Sequence, residues 1–199
     1  NVSKTQHLPV CLFHLEISKE QISNRFLSME LGIESGRLRT GRLQFDEWSL
    51  LSEGIDSLSK LPLHITDQPI SSIQEMQSIC QKIKEESEKK SLGLVILDYV
   101  QLLDYLPISD VSNREEYLLK LVKSLKRMAE ELNVPVIIIS QLSKDVEKRR
   151  NKRPMLSDIR DFEPLEVYSD IITMIYRDEY YNPETEDRGI AEIITCKHR

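Results

Sequence analysis

Short unbroken apolar runs alternate along this chain with longer stretches in which apolar residues recur every three or four positions. Leu92 to Leu97, rich in β-branched residues and bounded by Gly93, predicts a buried strand that ends at Asp98 and continues toward Leu102. Leu8 to Leu15 is a second such run, ending at Glu16, and Val134 to Ile139 is a third, ending at Ser140-Gln141. Runs apolar on successive residues are covered on both faces, the habit of a parallel sheet flanked by helices. Between them lie helical patterns. Ser18-Lys19-Glu20-Gln21 is a capping box leading to Ile22, Phe26 and Met29, with Gly32 as the stop. A helix starting near Asp46 is expected to bury Trp48, Leu51, Ile55 and Leu58 before Pro62. Leu63 to Ile65 reads as a short strand. Ser72 to Glu75 caps a helix with a stripe of Ile73, Met76, Ile79, Cys80 and Ile83, and its Lys/Glu-rich outer face is solvated. Ser112 opens the most regular helix, carrying Leu118, Leu121, Val122, Leu125, Met128, Ala129 and Leu132, with Asn133 and Pro135 at the crossover. Two late strands, Ile171 to Tyr176 and Gly189 to Cys196, flank a polar turn at Tyr181 to Glu184.

This alternation predicts an α/β fold with a parallel sheet. In such sheets ligands bind at the carboxyl ends of the strands. Asp98 alone could simply cap the next segment. With Glu16 and Gln141 ending neighbouring strands, two acids and an amide are expected on one edge, a set suited to a metal–nucleotide site.

The chain has 199 residues, enough for one sizeable core, and one domain over residues 1–199 is expected. Its net charge of −6 removes any global basic signature for nucleic acid, so such a contact must be local. Cys11, Cys80 and Cys196 are odd in number and outside any metal-ligand spacing, which predicts reduced thiols in a cytoplasmic protein. No apolar stretch reaches the length of a membrane span, and residues 1–7 have no signal-peptide architecture.

Three basic features remain. Ser35 to Arg42 reads as a solvated basic turn between helices. Lys148 to Arg153 places five cations in six residues, inside a segment from Ser143 to Glu163 without a strand of its own. A solvated face is the usual explanation of such a run, yet long loops in compact domains are usually functional, and a cationic one can hold phosphates without reading bases. Phe162 is the one aromatic expected near enough to stack on a base. At the end, Lys197 and Arg199 project to the same side of a strand.

In order along the chain, Phe13-His14-Leu15-Glu16, Arg37 to Gly41, Leu97 to Leu102, Glu131 to Val136, Ser140 to Ser143, Lys152 to Arg160 and Tyr176 to Pro183 resemble the C-terminal RecA-like motor domain of bacterial replicative hexameric helicases of the DnaB type. The likeness covers essentially the whole chain. It implies a RecA-like, P-loop NTPase core with helices on both faces of the sheet, ATP and Mg²⁺ as cofactors, and hydrolysis coupled to movement on single-stranded DNA and duplex unwinding. By this resemblance Glu16 polarises the attacking water, Asp98 supports Mg²⁺, and Gln141 links the γ-phosphate to the loop behind it. Arg149, Lys152, Arg153 and Arg160 would face single-stranded DNA. Lys197 and Arg199 would act on the nucleotide of a neighbouring subunit in a homo-hexamer, with a helicase loader and primase as further partners.

Three departures stand beside the likeness. No G-x-x-x-x-G-K-[ST] loop occurs in these residues, so the core is expected to be incomplete at both ends, an internal fragment without ATPase activity of its own. Asp161 to Asp170 leaves the family pattern, and Glu163 replaces a glycine that would allow close approach to a phosphate. His14 and Ile17 replace the usual Ser and Met beside Glu16, changes expected to matter little. Two other readings remain open: a RecA-like recombinase or clock-type ATPase, and a degenerate ring subunit without enzymatic activity.

Overall fold

The computed structural model describes residues 1–14, 16–68, 70, 72–98, 114–159 and 163–199, with the backbone alone at Arg114, Glu115 and Glu163. The Ser112 cap, Arg160 and Phe162 lie outside these residues, as does the side chain of Glu163. The chain divides into two compact units, Asn1–Tyr105 with Met128–Ile139, and Leu106–Arg127 with Ser140–Arg199.

In the first unit, β1 (Val10–His14), β2 (Leu63–Thr66), β3 (Leu94–Asp98) and β4 (Val136–Ile138) form a parallel sheet in the order β2-β1-β3-β4. All of β1 is buried, as a central strand apolar on both faces requires. The other strands depart from the expected continuous burial. On β3, Val95 and Leu97 are fully buried while Leu94 and Ile96 are only half-buried, and Ile137 on β4 is exposed.

The helices opened by Ser18 and Ser72 start where those caps predict. After α1 (Val2–Gln6), α2 (Lys19–Leu31) begins at Ser18, whose hydroxyl accepts the Gln21 N–H, and ends at Gly32 with φ +67°, a backbone that only glycine adopts without strain. The expected basic turn is instead a short helix, α3 (Ser35–Thr40), closed by Gly41; Arg37 pairs through both terminal nitrogens with Glu47. Glu47 belongs to α4 (Phe45–Ser59), and here the hydrophobic expectation fails. Trp48 and Ile55 are about half exposed, as Met29 on α2 is exposed, and Leu51 and Leu58 are half-buried. The buried residue of α4 is Gly54, where a Cβ would lie 2.8 Å from Leu31. The two helices therefore meet backbone to side chain, which leaves Trp48 and Ile55 of α4 about half exposed.

The stripe of α5 (Ile73–Glu86) is buried at Ile73, Met76 and Cys80, and the Ser72 hydroxyl accepts the Glu75 N–H as expected. Cys80 hydrogen-bonds Cys11 in the core, which together with burial pushes the Cys11 thiol up; both cysteines are free. Helix α6 (Arg114–Leu132) buries Leu118, Leu121, Val122, Leu125, Met128 and Leu132, and Asn133 turns the chain with φ +51°.

In the second unit, a 3₁₀ turn (Lys144–Lys148), a second (Leu156–Asp158) and α7 (Glu163–Tyr168) precede β5 (Ile171–Tyr176). This strand buries Ile172, Met174 and Tyr176 on one face and pairs antiparallel with β6 (Glu192–His198); α8 (Asp178–Tyr181) lies between them, where the sequence predicts only a turn after the strand. Among the described residues no helix is long and apolar enough to cross a membrane.

Candidate active site

The order β2-β1-β3-β4 means that the chain leaves β1 to one side and returns on the other. The crevice at such a reversal, beyond the carboxyl ends of the two central strands, is where open α/β sheets bind ligands. Here those strands are β1 and β3, and their register places His14 directly beside Asp98. Partners in parallel register share a face of the sheet, so the two side chains meet: His14 Nε2 lies 2.9 Å from Asp98 Oδ2. His14 is buried, and the Asp98 side chain keeps 25% of its surface exposed.

Beyond His14 the chain turns toward α2. Glu16, expected at the strand's end, lies two positions past it on an exposed bend. The amides of Glu16 and Ile17 both point back to His14 Nδ1, at 3.4 and 3.3 Å. The same turn is held from β2, because Asp67 accepts the Lys19 N–H at 2.9 Å. Gln141 lies beyond β4, in the segment that belongs to the second unit, and it is exposed. The structure thus brings Asp98 and the Glu16 turn together through His14, a residue expected to matter little. What marks it in the sequence is its place: a polar side chain closing an apolar run two positions before an acid.

The donor set fits magnesium on a nucleotide. Mg²⁺ takes oxygen ligands, keeps several waters, and is bound by one or two carboxylates with phosphates supplying the rest. Asp98 and Glu16 provide carboxylates at one sheet edge, and among the described residues no group of three could cage a metal alone.

The cationic segment is built differently. Arg149 grips the buried carboxylate of Asp158 with both terminal nitrogens, at 3.0 and 2.8 Å, and also reaches the Arg153 carbonyl. Asp158 in turn accepts the Met155 N–H, while its own carbonyl accepts the Ser143 N–H. Arg153 makes a two-pronged pair with Glu192 on β6, at 2.8 and 2.5 Å, and stacks over the Tyr176 ring with 4.8 Å to its centre. The pairing holds the Glu192 carboxyl below its ordinary range and pushes the guanidinium up. Lys152 donates to the Glu147 carbonyl, and Arg150 is exposed.

Phe162 is not the one aromatic available to this loop. Tyr176 stacks on Tyr181, Tyr180 meets Tyr181 edge-on, and the three line a pocket of about 220 Å³ with Lys152, Pro154 and Arg177. Tyr181 donates to Glu147, which pushes its phenol up to about 12. The cluster of three tyrosines within six residues was the available signal. Lys197 and Arg199 do share one side, as their spacing predicts. Both donate to the Val167 carbonyl, at 3.4 and 2.7 Å, and Lys197 also to that of Glu166, at the carboxyl end of α7.

A family model described as the DnaB-like helicase C-terminal domain matches residues 1–199. The replicative DNA helicase DnaB of Geobacillus stearothermophilus is 40% identical over 199 residues, covering all of this chain and 43% of that protein. A probable replicative DNA helicase of Trieres chinensis is 43% identical over 202 residues, 44% of its length. The chain spans less than half the length of these relatives. Among solved structures, one described as an ATPase domain superposes with a TM-score of 0.89 at 35% identity, over 98% of this chain and 69% of that one. A DnaB-like replicative helicase, described with its interactions with primase, superposes with a TM-score of 0.90 at 35% identity, over 98% and 46%.

Proposed function

This chain belongs to the family of DnaB-like helicase C-terminal domains, and from that premise we propose that, in the full-length protein, it is the ATP-hydrolysing motor of a replicative DNA helicase. The observation that carries the proposal is the pairing of an acid at the end of β3 with an acid-bearing turn after β1, across the strand reversal of a parallel sheet. Residues 1–199 act as one RecA-like domain in this reading, working in the cytoplasm.

Asp98 would hold the magnesium of ATP through its water shell, and Glu16, exposed on its bend, would take the proton of the attacking water. The metal, when bound, neutralises charge on the phosphates. Gln141, two residues before the buried Ser143, would report the terminal phosphate to the loop that Ser143 and Asp158 anchor. Lys197 and Arg199 would leave the α7 carbonyls to reach the nucleotide of the next subunit in a homo-hexameric ring, a contribution worth roughly 10³–10⁵ in rate in related hydrolases. Arg149, Lys152, Arg153 and Arg160 would serve the track of single-stranded DNA, and a loader and primase would be the further partners.

The test is ATP hydrolysis by the full-length protein with and without single-stranded DNA, together with strand separation on a forked duplex. DNA-stimulated hydrolysis with unwinding is expected. A ring that assembles without hydrolysing ATP would put the non-enzymatic subunit in its place. Hydrolysis with strand exchange and no unwinding would put a recombinase there.

A further inference from the structure

Among the described residues, His14 touches both halves of the proposed catalytic edge, and its chemistry is legible from its contacts. A backbone amide can only donate, so His14 Nδ1, approached by the Glu16 and Ile17 amides, must present its lone pair. The ring proton then sits on Nε2, where it faces Asp98 Oδ2 at 2.9 Å. Nothing about this assignment needs a charged imidazole. The two amides share a single lone pair at 3.3 and 3.4 Å, so each bond is long, and their combined direction locates the bend rather than clamping one residue. Burial matters as well. With 6% of its side chain exposed, His14 has little water to compete for either end.

We propose that His14 is a positioning residue: a neutral imidazole that ties the Asp98 carboxylate to the backbone of the Glu16 bend, so that the metal-supporting acid and the water-activating acid move as one unit. The inference rests on the nucleotide-site reading given above. Without the tether, Asp98 keeps its place at the end of β3 but loses the bond that orients its carboxylate, and the bend loses the acceptor that draws two amides toward the strand. Partners that orient metal-binding groups in this way typically contribute about 10–100-fold to metal affinity or activity.

Two substitutions take the ring apart. An asparagine amide falls near the position of Nδ1, so His14→Asn keeps an acceptor for the bend and loses the donor to Asp98. A glutamine amide reaches the position of Nε2, so His14→Gln keeps the Asp98 contact and loses the local acceptor. Four quantities are measured on the full-length protein: kcat and KM for ATP, the gain in affinity for a fluorescent ADP analogue on adding Mg²⁺, and hydrogen exchange at the Glu16 and Ile17 amides.

His14→Asn is expected to lower kcat about 10–100-fold with KM changed less than about twofold, and to lose most of the magnesium gain, while amide protection stays near wild type. His14→Gln is expected to keep the magnesium gain, speed exchange at both amides and lower kcat only a few-fold. Should His14→Asn fail to fold, the magnesium gain and amide exchange of His14→Gln decide. If both variants lower Tm while kcat, magnesium gain and amide exchange stay at wild type, His14 is a packed core histidine and the tether is wrong. A wild-type protein with neither ATP turnover nor magnesium-dependent nucleotide binding overturns the reading of the site, and the inference with it. Active wild type beside unaffected variants overturns the inference alone.

Discussion

The acids at the carboxyl edge of the sheet and the cationic loop are two charged features of this molecule, and they are built on opposite terms. Asp98 is aimed by the sheet. Parallel register decides which side chain stands beside it, and with the bond from His14 in place the carboxylate stays a quarter exposed. The cations of the loop have no sheet to aim them. Arg149 and Arg153 each take two-pronged hold of a carboxylate, Lys152 donates one bond to a backbone carbonyl, and the loop gains its shape from those bonds. Charge at a strand end is therefore available for chemistry, whereas charge in a loop is spent first on folding the loop. A positive run in a sequence measures how many cations are present, not how many face outward.

The contrast breaks first at Glu16. If the strand-end acids carry chemistry, Glu16→Gln in the full-length protein should cut ATP turnover by about 10²–10⁴-fold, the range of a positioned base, with nucleotide affinity little changed. Near-normal steady-state hydrolysis would remove Glu16 from the mechanism. The loop predicts a different kind of loss. Arg149→Ala leaves the buried Asp158 carboxylate with the Met155 amide in place of a guanidinium, and breaking such a pair costs about 3–5 kcal/mol when both partners are buried. Because 30% of the Arg149 side chain is exposed, about 2–3 kcal/mol is expected in urea unfolding. A stability within experimental error of wild type would mean the pair does not shape the loop. Among the described residues Lys152 holds a neutral carbonyl, which it would exchange for a phosphate in the proposed reading. Lys152→Ala should reduce the slope of log affinity for single-stranded DNA against log salt by about 0.7, uniformly across sequences. An unchanged slope would make this lysine part of a solvated face.

The same contrast explains what could be read before the fold was known. Element order, the caps at Ser18 and Ser72 and the α6 stripe are local, and each followed from residues a few positions apart. The exposed apolar face of α4 did not, because burial there depends on how closely α2 approaches, and Gly54 against Leu31 sets that distance. The acids were visible as acids. What could not be seen was the register that puts His14 opposite Asp98, a pairing across 84 positions of chain. Nor could sequence show that Glu192 would hold Arg153, or that Tyr176 would lie beneath it.

That last pair gives the smallest and most discriminating effect. Arg153 holds the Glu192 carboxyl below its ordinary value, so the folded protein binds its proton less readily than the unfolded chain. A lowered carboxylate contributes stability that is complete above the unfolded value, about 4.3, and disappears as pH falls through the folded one. Glu192→Gln should therefore lower Tm slightly at pH 7 and converge on wild type in acid, below the ordinary carboxylate range. The pair is exposed, so the shift is small at physiological salt. Its second consequence is opposite in sign. Freed from Glu192, the Arg153 guanidinium stays over the Tyr176 ring with its donors unpaired, and single-stranded DNA should bind more tightly to Glu192→Gln than to wild type. Weaker stability with tighter DNA binding would show a cation shared between the loop and the track. Weaker stability with unchanged binding would show that Arg153 serves the fold alone, and Lys152 and the exposed Arg150 would then be described candidates of the loop for phosphate.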